Sequence, residues 1–161
     1  MVMVRTATAN DWQVLREIRL EALRDAPSAF GSTYAEQAVF AEADWRSRIS
    51  RGKTFFAYIS EVNGVKPDGL VGGLQEEAAT VELVSLWVRP HARGMGVGEV
   101  LVETVIRWAR ATNASSVHLW FTETNQRARR LYERCGFSPT GERQELSSNR
   151  DLIEVGMTCL L

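Results

Sequence analysis

The feature that most constrains this chain is a strand that runs through a glycine-rich turn directly into a helix. The strand ends near Val88 and the helix reaches Ala111. Between them, glycine alternates with other residues at Gly94, Gly96 and Gly98. Glycine lets the backbone turn tightly and approach a ligand closely, and the free N–H groups of a helix's first turn favour phosphate oxygens. The segment therefore predicts either a phosphate-binding turn or a plain connection between two elements.

The glycine spacing excludes two common nucleotide-binding motifs. A dinucleotide fingerprint requires G-x-G-x-x-G, but Glu99 stands where its last glycine would be. A Walker loop requires Gly-Lys followed by Ser or Thr, and this turn contains no lysine. If the turn binds phosphate, it does so in a different class of protein.

The remaining pattern mixes strands and helices along the chain. The predicted strands are 2–6, 54–60, 70–76, 80–88, 116–121, about 138–146 and about 151–160. The predicted helices run from a Thr8–Asp11 capping box to about Asp25, over about 35–50, over 98–111 and over 125–135. Val39, Phe40 and Trp45 would form the apolar side of the second helix, and Asn63-Gly64 would mark a turn. This order predicts an α/β (α+β) fold with a mixed sheet and helices on both faces.

Composition and charge exclude several classes of protein. The 161 residues suffice for a single domain, 1–161, with a sizeable core. The formal net charge of -1 gives no support for binding nucleic acid or an anionic membrane. No apolar run approaches the roughly 20 residues that span a bilayer, and the N-terminus lacks the pattern of a signal peptide. We therefore expect a cytoplasmic protein in which Cys135 and Cys159 are buried, unpaired thiols.

Two motifs resemble those of the GNAT superfamily of acyl-CoA-dependent N-acetyltransferases. The run from Arg93 to Gly98 resembles the family's Q/R-x-x-G-x-G/A signature. Asn125, followed by Tyr132 and the pair Gly136-Phe137, resembles a second family segment. The order of elements resembles the family over nearly the whole chain. The resemblance implies a mostly antiparallel central sheet of about seven strands, with about four helices on its two faces.

The resemblance also implies acetyl-CoA as co-substrate and no metal. The amides from Gly94 to Glu99 would bind the pyrophosphate, and the backbone from Leu86 to Val88 would pair with the pantetheine arm in a gap between the fourth and fifth strands. Asn125 would contact the cofactor nearby. The full predicted cofactor set is Leu86, Trp87, Val88, Arg93, Gly94, Met95, Gly96, Val97, Gly98, Glu99 and Asn125.

Acetyl transfer to an amine requires loss of an amine proton, and Glu82 is the candidate base. It lies six residues before Val88 on the same strand and matches a glutamate that some relatives use as a base. Half-burial in a strand would raise its pKa towards neutrality. A solvated glutamate, or one paired with an arginine, is the alternative. Some relatives carry a glutamate on the following strand instead, where this chain has Trp120.

Tyr132 is the candidate acid, because many relatives use a tyrosine at this position to protonate the coenzyme A thiolate. A phenol remains protonated, and able to donate, at neutral pH. A tyrosine that merely packs on its helix is the alternative. His118 lies in a strand, where a structural role is the simpler interpretation.

The resemblance places the acceptor between residues 26–35 and 146–151. Phe30 and Tyr34 would bind the acceptor there, while Glu82, Glu36 and Glu145 would attract a cation. A small-molecule amine is preferred, but a protein or peptide amine, or a non-catalytic acyl-CoA-binding module, stays open. No nucleic acid or membrane partner is expected, and similar proteins allow a homodimer.

Overall fold

A central sheet organises the computed structural model, which describes residues 1–59, 66–77 and 79–161. The seven strands of this described part are β1 (Met3–Thr6), β2 (Lys53–Tyr58), β3 (Gly69–Glu77), β4 (Thr80–Val88), β5 (Ser116–Thr122), β6 (Ser138–Leu146) and β7 (Asn149–Leu160). They lie in the order β1-β2-β3-β4-β5-β7-β6. Neighbours are antiparallel except for β4 and β5, which are parallel. The predicted mixed, mostly antiparallel sheet is confirmed.

Five α-helices of the described residues cover the two faces of the sheet. They are α1 (Trp12–Asp25), α2 (Tyr34–Ala38), α3 (Glu42–Ser50), α4 (Val97–Ala111) and α5 (Gln126–Arg134). On one face, α1 and α3 pack Ile18 and Trp45 against Phe56 of the sheet. On the other face, α4 packs Leu101 and Val105 against a core that includes Leu119. Both helix layers follow from amphipathic spacing, which buries one side of each helix.

The second predicted helix is wrong as a single element, because residues 35–50 form α2 and α3 instead. Each begins at its own N-terminal cap: the Thr33 hydroxyl accepts from the Glu36 amide at 3.2 Å, and the Asp44 carboxylate accepts from the Ala41 amide at 2.9 Å. Val39, in the break, is 82% exposed, so it isn't part of an apolar face. The predicted Asn63-Gly64 turn lies outside the described residues.

The parallel pair β4–β5 separates after three residues of register. The paired positions end at Glu82 and His118. Beyond them β4 contains a bulge. Leu70 of β3 pairs with Trp87 and Gly72 pairs with Val84, so β4 has one residue more than β3 between these two pairs. Ser85, inside the bulge, has a φ of 61°. The strands therefore leave a gap whose walls carry unpaired backbone.

No helix in the described ranges is long and apolar enough to cross a membrane.

Candidate functional site

The glycine turn leads from β4 into α4 with two residues in the left-handed region. Gly94 has a φ of 77° and Gly96 a φ of 82°. A Cβ atom at either position would meet nothing within 4 Å, so the backbone angle rather than crowding favours glycine here. Gly98 differs, because a Cβ atom there would lie 3.1 Å from the side chain of Leu131 on α5. The turn is therefore open around Gly94 and Gly96 and packed against α5 at Gly98.

Arg93 ties this turn to β4 and to the end of α1. Its Nε donates to the Val88 carbonyl at 3.0 Å, and its Nη2 donates to Asp25 Oδ2 at 2.6 Å. The Trp87 indole donates to the same carboxylate oxygen at 3.0 Å. Hydrogen bonds from Trp87 and Arg93 lower the pKa of Asp25, which keeps it charged. Sequence reasoning missed Asp25, because its two partners lie more than sixty residues away.

A cavity of about 530 Å³, the turn cavity, lies against β4, the glycine turn and α5. Ten of the eleven residues predicted for the cofactor line it: Leu86, Trp87, Val88, Arg93, Gly94, Gly96, Val97, Gly98, Glu99 and Asn125. Met95 does not, and its side chain is 56% exposed. The first amides of α4 have no carbonyl one turn earlier to bind, so they can donate to a ligand at this wall.

Two polar side chains of the turn cavity are held by α5. The Glu99 carboxylate, which alone would repel phosphate, accepts from Arg134 at 2.9 Å. Asn125 caps α5, since its Oδ1 accepts from the Ala128 amide at 3.1 Å. Asn125 also lines the turn cavity, and no hydrogen bond from its side-chain nitrogen occurs within the described part of the chain.

A smaller cavity of about 120 Å³, the gap cavity, fills the space between β4 and β5. Leu86, Ala29, Asn125 and Ala128 line both cavities, so the two adjoin each other. The gap cavity is also lined by the bulge of β4 and by Tyr132. A flexible chain that starts on the glycine turn could follow this path to the middle of the sheet.

Tyr132 both packs in the core and faces the gap cavity. It is 6% exposed, and its ring lies 6.0 Å from that of Phe121 and 5.8 Å from that of Phe137. Burial, with a smaller effect of Cys135, raises the pKa of the phenol, which therefore stays protonated. No described residue hydrogen-bonds its hydroxyl.

Glu82 lies on the opposite face of the sheet from Tyr132. Val81 and Leu83 join the core beneath α4, so the alternating Glu82 points towards the side of α1 and α3. Its carboxylate oxygens lie 2.9 and 3.0 Å from His118 Nδ1, and His118 Nε2 lies 2.8 Å from Glu142 Oε1. A chain of three titratable groups thus runs from half-buried Glu82 to exposed Glu142.

The pKa values along this chain reflect burial and hydrogen bonding together. Burial raises the pKa of Glu82, and the bond to His118 offsets only part of that rise. Burial lowers the pKa of His118, but its bonds to Glu82 and Glu142 outweigh this, so the pKa is raised overall. Hydrogen bonds from Thr140 and then His118 lower the pKa of Glu142. Within the described ranges, no group of three or more His, Cys, Asp or Glu side chains is arranged to hold a metal ion.

The two predicted acceptor segments contact each other. Ser147 donates to the Gly31 carbonyl at 2.6 Å, and Ser148 donates to the Phe30 carbonyl at 2.5 Å. Phe30 is buried and lines the gap cavity. Tyr34 lines neither cavity, and its hydroxyl accepts from Arg24 at 2.6 Å.

Comparison with known proteins identifies the family. Residues 12–137 match the model of the acetyltransferase (GNAT) family. An uncharacterized N-acetyltransferase of Methanocaldococcus jannaschii is 28% identical over 140 residues, which are 83% of this chain and 59% of that protein. The chain spans 21% and 25% of the length of two further curated relatives. The chain belongs to the GNAT acetyltransferase family.

Solved structures share the fold at low sequence identity. A GNAT-family acetyltransferase of Streptococcus pneumoniae superposes with a TM-score of 0.79 at 19% identity, covering 100% of both chains. The spermidine N-acetyltransferase of Vibrio cholerae, solved with CoA and spermine, gives a TM-score of 0.78 at 17% identity and covers 99% of this chain and 95% of that one. At these identities the likeness concerns the fold.

Proposed function

We propose that the protein transfers the acetyl group of acetyl-CoA to a primary amine by direct attack in a ternary complex, within one domain of residues 1–161. The observation that carries this proposal is that the turn cavity and the gap cavity adjoin, which outlines a path from the glycine turn to Tyr132. The path ends beside Val84, which alternates with Leu83 on β4 as Glu82 does. Glu82 and Val84 therefore lie on the face of the sheet opposite Tyr132. A thioester in the path would be accessible to an amine from one face and to a proton donor from the other.

The residues of the turn cavity fit the cofactor. The positive φ values of Gly94 and Gly96, with open space beside them, suit a backbone that wraps around phosphate oxygens. The unpaired part of β4 near Leu86 suits strand-like hydrogen bonding to the amides of a pantetheine arm. When bound, acetyl-CoA supplies an activated thioester, so positioning supplies much of the remaining rate.

Glu82 takes the amine proton in this proposal. Because it lines neither cavity, a water molecule is the expected intermediary between its carboxylate and the amine. The raised pKa of Glu82 makes it a stronger base than an ordinary glutamate. His118 holds the carboxylate in place and connects it to exposed Glu142, which returns the proton to solvent.

Tyr132 assists the departing thiolate. As the new C–N bond forms and the C–S bond breaks, negative charge collects on sulfur within reach of the gap cavity. A phenol, with an ordinary pKa of about 10, is a weaker acid than a thiol at about 8.5. We therefore expect Tyr132 to donate a hydrogen bond to the thiolate, with complete proton transfer left to solvent after release.

A small-molecule amine is favoured over a protein amine. The hydrogen bonds of Ser147 and Ser148 hold the turn between β6 and β7 against residues 30–31 and narrow the acceptor side. We expect a folded protein or an extended peptide to need this contact opened in order to approach the gap, and a small molecule to bind without opening it.

The decisive experiment measures thiol release from acetyl-CoA with a panel of small amines and peptides. Amine-dependent release, with acetylated product seen by mass spectrometry, supports the proposal. Stabilisation of the fold by acetyl-CoA without release on any amine would instead indicate a non-catalytic binding module. The absence of both stabilisation and release would contradict the proposed site altogether.

A further inference from the structure

A third cavity, of about 390 Å³, lies on the face of α1 and α3 and is unusually cationic. We call it the basic cavity, and its charged lining residues are Arg19, Arg48, Arg51, Lys53 and Glu76. Four positive groups thus surround one carboxylate, although the chain as a whole carries a net charge of -1. Its volume is within the range of pockets that bind small molecules.

Arg19 is the buried cation at the inner wall of this cavity, with 4% of its surface exposed. Its contacts are with uncharged groups: Nε donates to Gln37 at 3.0 Å, Nη1 donates to Ser85 at 3.2 Å, and the guanidinium lies 4.7 Å from the ring centroid of Phe30. A guanidinium has five N–H donors, so three remain after these two bonds. In the described ranges no carboxylate pairs with it.

This absence of a counter-ion is costly, because a buried charge is normally paired. Burial, and then the nearby charge of Arg48, lower the pKa of Arg19 to about 9. Arg48 is itself partly buried, and burial followed by the charge of Arg51 lowers its pKa as well. By contrast, seven more exposed arginines of the described chain do pair with a carboxylate: Arg5, Arg46, Arg89, Arg93, Arg129, Arg134 and Arg143.

The basic cavity adjoins the place where acetyl transfer would occur. Val84 and Ser85 line both the basic cavity and the gap cavity. Ser85 is also the bulge residue that accepts from Arg19, so the buried cation is anchored at the boundary between the two cavities. An anion bound by Arg19 would thus lie next to the wall that the basic cavity shares with the gap cavity.

We propose, building on the acetyltransferase function above, that the acceptor is a small amine that also carries an anionic group, a carboxylate or a phosphate. The anion binds Arg19 and Arg48 in the basic cavity, and the amine extends past Ser85 towards the gap. Planar guanidinium groups bind carboxylate and phosphate oxygens in pairs, which gives both charge and direction. A polyamine, which is cationic throughout, is disfavoured by the same four positive side chains.

The test compares matched acceptors that differ only in the anion. Amino acids are compared with their amides, O-phosphoethanolamine with ethanolamine, and spermidine serves as the polycation. We expect kcat/KM for the preferred acid to exceed that of its neutral analogue by at least about tenfold, the effect of one well-made charged hydrogen bond. The amino-acid pairs test a carboxylate and the O-phosphoethanolamine pair tests a phosphate, so the two comparisons show which anion the site prefers.

Arg48→Gln tests the cavity directly, since Arg48 has no hydrogen-bond partner in the described chain whose loss would disturb the fold. We expect it to reduce the preference for the acid about tenfold, while kcat/KM for the neutral analogue and KM for acetyl-CoA stay unchanged. Arg19→Lys keeps a positive charge but not the planar fork, and should also reduce the preference. Arg110→Gln, an exposed charge removal on α4, is the matched control and should change nothing.

The outcomes separate this inference from the proposed function. Amine-dependent thiol release with no advantage for acids, or with an advantage that Arg48→Gln leaves intact, would overturn the inference and leave the acetyltransferase proposal standing. If no amine is acetylated, thermal stabilisation by inorganic phosphate or malonate that Arg48→Gln abolishes would still support an anion site. The absence of that stabilisation would then overturn both proposals.

Discussion

At the scale of single residues, the fold gives the proposed base Glu82 a surrounding that its neighbours in sequence do not provide. Alternation along β4 sends it to the side of α1, and pairing with β5 brings His118 to the same level. Burial then raises its pKa, while the His118–Glu142 connection gives the proton a route to solvent. None of these effects acts through neighbours in sequence.

Glu82→Gln should lower kcat about 100-fold, within the range that general bases contribute. Glu82 must be deprotonated to accept a proton, so the wild-type rate should rise with pH through its raised pKa, and the variant should lose this rise. The measurement is kcat against pH with a saturating amine. His118→Asn removes the hydrogen bond that lowers the pKa of Glu82. The rise of the rate with pH should therefore occur at higher pH in this variant.

The control is Glu77→Gln, which removes an exposed carboxylate from the end of β3 and should leave the profile unchanged. A Glu82→Gln enzyme that keeps the wild-type profile would show that another group takes the proton.

Tyr132→Phe should lower kcat about tenfold with little effect on the KM for acetyl-CoA, because only a hydrogen bond to the thiolate is lost. The ring contacts with Phe121 and Phe137 remain, so the Tm should not fall. The measurements are steady-state kinetics and thermal unfolding. A variant with wild-type turnover would restrict Tyr132 to packing.

At the scale of elements, the glycine turn and the helix α4 act as one unit. Gly96 sets the entry to α4, with a φ of 82° that directs the first amides towards the turn cavity. An L residue held in this region costs roughly 1–2 kcal/mol, so a substitution must either strain the turn or move it.

Gly96→Ala should therefore raise the KM for acetyl-CoA, and the dissociation constant of CoA, by about tenfold. Gly141→Ala is a closely matched control, because Gly141 has a φ of 87°, open space around its Cβ position and a place on β6 away from the turn. Both variants should lose similar stability in thermal unfolding, and only Gly96→Ala should weaken binding in titration calorimetry. Equal binding by both would show that the turn tolerates alanine.

The elements were more predictable than the contacts between them. The buried positions of α4 follow the 3.6-residue period of its sequence, and the strand β4 has the predicted bounds. The break between α2 and α3 was not predicted, because the cap at Asp44 competes locally with an apolar spacing that continues through Val39. The motif-based residues lie together around the turn cavity except Met95, whose side chain points away.

The rest of the site depends on long-range contacts that no local pattern encodes. Glu142 reaches His118 from β6, and Asp25 meets Arg93 from the end of α1. The sequence does contain a signal for Arg19, since this residue lies four residues after Leu15 within the apolar stripe of α1. A charged residue in a buried stripe indicates a polar site behind the helix, although its partner there can only be found in the fold.

At the scale of the whole molecule, the proposed function assigns the cofactor and the amine mainly to opposite faces of the sheet. The turn cavity is lined by the glycine turn, α4, α5 and the end of α1 at Asp25. The proposed acceptor side is formed by the bodies of α1 and α3 and by the turn between β6 and β7. In this proposal the two substrates would meet at the gap, where β4 and β5 diverge. Changes on the acceptor side should therefore affect the amine without affecting the cofactor.

The double variant Ser147→Ala/Ser148→Ala tests this separation. It removes both hydrogen bonds that hold the β6–β7 turn against Phe30 and Gly31, so this wall of the acceptor side should loosen. We expect the KM for the amine to rise several-fold, because the bound amine must now order the wall itself, while the KM for acetyl-CoA stays constant. Thr112→Val, which removes a hydroxyl–carbonyl bond of 2.9 Å at the end of α4, is the control. Equal increases in both KM values would mean that the two sides of the sheet are coupled, either through the gap or through Asp25, which precedes Phe30 closely in sequence and accepts from Arg93 of the glycine turn.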